Sequence, residues 1–145
     1  MARRRATSRP MLVGIAVAAP ALRRAVIGSL VASGRYEAVA FEPPEIEEGI
    51  WPRRRFAAVV ATPRAFRARQ RRVVRGRAPV ILVVREADIA REKTVLGLAD
   101  AFVLADRLDL LPSLVVLSRD QLSILPRPRG AKSSRRAAGR LKATK

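Results

Sequence analysis

A chain of 145 residues is the size of one domain, and a hydrophobic fraction of 49% belongs to a globular protein and not to a disordered chain. Thirty Lys and Arg against 12 Asp and Glu give a net charge of +18, well beyond what solubility requires. Cysteine and histidine are both absent, which removes disulfides, thiolate and imidazole metal sites, Cys and His nucleophiles and the usual general base near neutral pH. Carboxylate or Ser/Thr chemistry is left, and a Mg²⁺ site would need clustered acids.

The charge is unevenly spread. Residues 1–10 hold four Arg and no acid, and residues 126–145 hold eight Lys and Arg and no acid. Both ends are built mainly of Arg, Lys, Ser, Ala, Gly and Pro, too poor in apolar surface to offset chain entropy. Residues 1–10 and 127–145 are therefore expected to be disordered basic arms around a folded block at 11–126. Inside the block, residues 53–77 contain ten Arg and no acid, whereas Glu37, Glu42, Glu45, Glu47 and Glu48 crowd the stretch before them. That asymmetry predicts a surface with two sides of different potential. Glu45, Glu47 and Glu48 read as a solvated loop patch.

The amino terminus imitates a secretory signal, with basic MARRRATSRP followed by apolar MLVGIAVAAPAL and small-residue sites. The run is too short to span a membrane, and Arg23 and Arg24 follow it within a helical pattern. A buried first strand accounts for the same residues, and the chain is expected to be cytoplasmic.

In chain order, Leu12 to Ala18 reads as a short strand covered on both faces, and Pro20 opens a helix whose apolar spacing runs from Leu22 to Val31 and ends at Gly34. Tyr36 to Phe41 is a second strand, stopped by Pro43 and Pro44, and a short acidic helical turn or loop passes through Ile46 and Ile50. Phe56 to Ala61 is a third strand. The segment 64–75 then has helical composition up to Gly76, with Arg64, Arg67, Arg71 and Arg75 on one face. Pro79 to Val84 is the clearest buried strand, a weaker helix spans 87–98, Ala101 to Leu104 is a brief fifth strand, and a last helix runs from about Arg107 to Gln121. This alternation of strand and helix predicts an α/β domain, a parallel sheet with helices on both faces.

The stretch PALRRAVIGSLVASGRYEAVAFE, then RAPVILVV, and above all GLADAFVLADRLDLLPSLVVLSRDQLSILP resemble the receiver domain of bacterial two-component response regulators, the type that precedes a LuxR/NarL-like DNA-binding domain. The resemblance covers roughly 11–126, with a poor match around 43–75, and implies a flavodoxin-like sheet in the order 2-1-3-4-5. Receivers accept a phosphoryl group on an aspartate after the third strand, beside Mg²⁺ held by acids after the first. They sense it with a Thr or Ser after the fourth strand and a Lys after the fifth. Here the acidic pair falls at Val17 and Ala18, the acceptor at Ala61 or Thr62, the Thr/Ser at Val84 and the Lys at Ala105. No Asp or Glu occurs from Met1 to Tyr36 or from Gly49 to Arg85, so no shift of alignment restores them. Thr62, without metal or base, reads as the residue ending a strand before Pro63.

Two functions compete. The first is a non-catalytic pseudo-receiver, without cofactor, docking a protein (a kinase, another regulator or a second copy) through the family's usual face at Ile89 to Leu98 and Leu104 to Leu117, where only exposed apolar residues could contribute. The usual output domain does not follow; residues 127–145 are basic instead. The second is a nucleic-acid or polyanion binder in which Arg127, Arg129, Lys132, Arg135, Arg136, Arg140, Lys142 and Lys145 contact phosphates, joined by Arg64, Arg67, Arg71 and Arg75.

Overall fold

The computed structural model describes residues 10–72 and 78–124. Five strands, β1 (Met11–Ala16), β2 (Tyr36–Ala40), β3 (Ala58–Ala61), β4 (Val80–Val84) and β5 (Ala101–Leu104), alternate with five helices, α1 (Pro20–Ala32), α2 (Pro43–Glu48), α3 (Pro63–Gln70), α4 (Lys93–Leu98) and α5 (Leu111–Ile124). All strand pairings are parallel, in the order β2-β1-β3-β4-β5, and this is the flavodoxin-like arrangement.

Side-chain alternation sorts the core into two layers. Val13, Ile15, Ala58, Val60, Ile81, Val83 and Val103 face α1 and α5, where Val26, Leu30, Leu111 and Val115 meet them. On the opposite face Ala16, Val59, Ala61, Val80 and Leu82 meet Ile46 of α2, Ala65 and Phe66 of α3 and Val95 of α4. The middle strands β3 and β4 are buried at every residue, which explains their unbroken apolar sequences AVVA and VILVV. Burial of a side chain such as Ile15 or Leu82 contributes about 1.5–3 kcal/mol each.

Local chemistry sets the helix ends. Pro20, Pro43 and Pro63 stand in first turns, where a missing N–H costs no hydrogen bond. The Thr62 hydroxyl accepts from the Ala65 amide at 3.4 Å, and the Glu45 carboxylate accepts from the Glu42 amide at 2.7 Å in a capping box. Gly49 closes α2 at φ 72°, and a Cβ there would stand 2.3 Å from the Ala68 carbonyl oxygen, so glycine is what lets α2 lie against α3.

Several boundaries differ from those read in the sequence. The third strand begins at Ala58, because Phe56 turns off the sheet to pack on Phe41 at 5.6 Å between ring centroids. The Arg-rich helix ends at Gln70, not near Arg75, with Arg69 and Arg72 donating to the carbonyls of Gly49 and Glu48 at 3.0 and 2.9 Å. The segment expected as one helix at 87–98 is a 3-10 turn, Glu86–Asp88, followed by α4; Asp88 pairs with Arg85 at 2.9 Å and Arg91 at 3.0 Å across the break. The last helix starts at Leu111 after a 3-10 turn at Leu108–Leu110, which leaves Pro112 in its first turn. The acidic and basic stretches meet where the two carbonyl bonds seat the end of α3 against the end of α2. The expected arms lie outside the described residues, apart from Pro10.

Candidate functional site

In an open parallel sheet of this type, ligands enter at the carboxyl ends of the strands. The register brings the expected receiver positions together there. Ala16 pairs with Ala61, the Thr62 amide donates to the Ala16 carbonyl at 3.4 Å, and the Ala105 amide donates to the Val84 carbonyl at 2.9 Å. Val17, Ala61 and Val84 are buried and Ala105 packs against the α1–α5 layer, so these side chains form apolar packing. Ala18 is exposed.

None of these side chains carries a carboxylate or an amine, and three acids nearby in sequence, Glu42, Asp88 and Asp109, lie in contacts of their own. Glu42 is the N-cap of α2, its amide donating to the Glu45 carboxylate, and Asp88 is held between Arg85 and Arg91. Asp109 accepts two bonds from Arg107, at 3.1 and 3.2 Å, which hold its carboxyl below the ordinary range and raise Arg107 in return. Among the described residues, no group of three acids is placed to hold a metal ion. Thr62 spends its hydroxyl on the amino end of α3, and no base contacts it in the described structure.

The face at α4, β5 and α5 is differently built. Val95, Val103, Leu111 and Val115 are core, whereas Leu98 is 54% exposed, Phe102 43% and Leu117 57%. Strand β5 is an edge strand, and Phe102 stands opposite Leu82, which places it on the α4 side of the sheet. The three exposed apolar side chains thus stand on three successive elements, the middle one an edge strand.

The arginines expected on one helical face differ in their surroundings. Arg64 is exposed in the first turn of α3, near the carboxyl ends of the strands, and Arg71 is exposed beyond its last turn. Arg67 lies between them and pairs with Glu92, a carboxylate that is 7% exposed and also reached by Arg91 at 3.7 Å. Arg67 thus neutralises a buried acid while its own side chain stays 42% exposed. Arg75 lies outside the described residues, as do Arg127, Arg129, Lys132, Arg135, Arg136, Arg140, Lys142 and Lys145. Among the described residues no helix is long and apolar enough to cross a membrane. The chain matches no protein-family model and no curated protein.

Proposed function

We propose that this chain is a degenerate receiver, a signalling module that acts by docking a protein and without phosphoryl transfer. The observation that carries this reading is the make-up of the carboxyl ends of the strands. The fold supplies the position for an acceptor and its metal, while Val17, Ala18, Ala61, Thr62, Val84 and Ala105 supply none of the anions or the amine that the chemistry needs. An empty site on a retained scaffold favours binding over catalysis.

Docking is supported by Leu98, Phe102 and Leu117. The charge around them also differs from that of the chain as a whole: residues 85–120 hold five Lys and Arg against seven Asp and Glu, a net of −2 in a protein of +18. The partner that fits such a face presents an apolar patch rimmed by basic residues.

The test is incubation of the full chain with a small acyl-phosphate donor and Mg²⁺, followed by intact-mass measurement before and after hydroxylamine. No mass gain is expected. A gain of one phosphoryl group that hydroxylamine removes would mark an aspartyl-phosphate and overturn the reading.

A further inference from the structure

A parallel sheet has two unlike ends, and at the amino ends of the strands, away from the candidate site, several arginines from separate segments come together. The segment before β2 brings Arg35, the segment before β3 brings Arg53, Arg54 and Arg55, and the end of α3, which leads toward β4, brings Arg69, Arg71 and Arg72. Helix α5 runs back to the same end, where Arg119 reaches the sulfur of Met11. The segments joined to the fold at Pro10 and Ile124 therefore attach at this pole, and their sequences add twelve Lys and Arg with no acid.

The centre of the pole is a built surface. Trp51 and Phe56, both buried, bracket the triplet Arg53–Arg55 and pack on Phe41 with ring centroids 5.7 and 5.6 Å away. The Ala57 amide then donates to the Leu12 carbonyl at 2.8 Å, fixing the loop to the start of β1. Between these anchors the three arginines are exposed. Arg69 covers the Trp51 ring at 5.2 Å and donates to the Gly49 carbonyl at 3.0 Å, while Arg72 donates to the Glu48 carbonyl at 2.9 Å. Burial pushes the Arg69 guanidinium below its ordinary value, and the charges of Arg53 and Arg72 push it the same way. Among the described residues, the ion pairs belong to Arg67, Arg85, Arg91, Arg107 and Arg119, and Arg53, Arg54, Arg55 and Arg72 form none.

We propose that Arg53, Arg54, Arg55 and Arg72 form a phosphate-binding surface that holds the backbone of double-stranded DNA. Guanidinium forks match phosphate oxygens in pairs, and a row of them on an anchored loop meets a phosphate backbone with little ordering left to do. The aromatic residues of the loop are turned inward, so neither base stacking on a single strand nor insertion into a lipid surface has a side chain to use here. Contacts of this kind give affinity without reading sequence. This surface is independent of the docking face and of the degenerate-receiver reading.

The test is fluorescence anisotropy of the full chain with a mixed-sequence DNA duplex across a salt series. Three variants are compared with the parent, Arg53→Gln/Arg54→Gln/Arg55→Gln and Arg53→Gln/Arg54→Gln at the pole and Arg23→Gln/Arg24→Gln/Lys93→Gln away from it, with circular dichroism to confirm folding. Each lost phosphate contact flattens the log–log salt slope by about 0.9, so the pole variant should lose about 2–3 in slope. The double variant Arg53→Gln/Arg54→Gln should lose about 1–2, and the distant variant should keep the parent slope. The proposal is overturned if the parent does not bind, if the pole variants keep the parent slope, or if the distant variant flattens it equally. Binding to phosphatidylserine vesicles without binding to the duplex overturns it as well and reassigns the surface to lipid.

Discussion

The Val80 amide donates to the Asp100 carboxylate at 2.7 Å, and the Asp100 amide donates to the Val80 carbonyl at 3.1 Å. The aspartate just before the last strand thus closes the amino end of the strand beside it, at the first residue of β4, where the ladder would otherwise leave a buried N–H open. Replacing Asp100 with Ala should cost about 1–3 kcal/mol in urea unfolding, because the amide of a buried residue loses its partner. Asn, which keeps one acceptor, should recover part of that loss. Equal stability of Asp100→Ala and the parent would show that the carboxylate contributes nothing.

Thr62 tests the carboxyl ends of the strands from the side of structure. Its hydroxyl caps α3 through Ala65, so Thr62→Val should lower stability by about 1 kcal/mol and Thr62→Ser should not. Neither should change the mass seen after phosphodonor treatment. Loss of a phosphoryl adduct in the Val variant would instead make Thr62 a nucleophile.

Much of the architecture was legible because the strands announce themselves. VILVV and AVVA have no polar face, and residues with no polar face belong in the middle of a sheet. The helix breaks were less legible, since they depend on contacts between distant segments. Nothing local to Gln70 stops α3, whose end is set by bonds from Arg69 and Arg72 to carbonyls more than a dozen residues earlier. The lack of carboxylates at Val17, Ala61 and Val84 was plain from the sequence alone. The basic pole was not, because composition grouped Arg53–Arg55 with the following helix and only the burial of Trp51 and Phe56 separates them from it. The signal available in sequence was the pattern WPRRRF, an arginine triplet between two aromatics.

Tyr36 is the only tyrosine, which makes its ionisation a clean probe. It is buried, with its hydroxyl 3.5 Å from the Pro112 carbonyl oxygen; burial raises its pKa above 10.0, Arg35 and Arg119 oppose the shift and Asp120 adds to it. Above pH 10.0 the unfolded chain releases the phenolic proton while the folded one retains it, so the folded state binds more protons and stability falls with rising pH. The stabilisation is therefore complete below 10.0 and is lost as pH rises through the folded value. Phenolate absorbance should appear at higher pH in the native protein than in urea, and Tyr36→Phe should flatten this part of the stability profile. Coincident native and denatured titrations would refute the assignment.

Trp51 is likewise unique, and its indole N–H is buried with no partner among the described residues. Trp51→Phe forfeits no hydrogen bond and should cost far less than Trp51→Ala, for which about 3–5 kcal/mol is expected. Arg69→Ala removes both the cation over the ring and the bond to Gly49, a loss of about 1–2 kcal/mol that should also shift Trp51 emission. Lys at position 69 should restore only part, since an ammonium cannot both lie flat on the ring and reach the carbonyl.

Gly14 links the core to the basic pole. A Cβ at this position would stand 2.5 and 2.8 Å from two atoms of the Phe41 ring and 3.3 Å from a Val59 methyl. The ring has nowhere to retreat: Trp51 and Phe56 pack on it, and the Phe41 amide is bonded to the Ile15 carbonyl at 3.0 Å. Gly14→Ala should therefore destabilise the protein by about 1–3 kcal/mol through overpacking. The same displacement moves the aromatic anchors of the Arg53–Arg55 loop, so duplex affinity should fall in Gly14→Ala under conditions where it remains folded. Phe41→Leu opens space for the added methyl, and the double variant should be more stable than the sum of the two single losses predicts, with a coupling of about 0.5–3 kcal/mol. Strict additivity in this cycle would mean that Gly14 and Phe41 do not constrain one another, and the loop would then owe its position to some other contact.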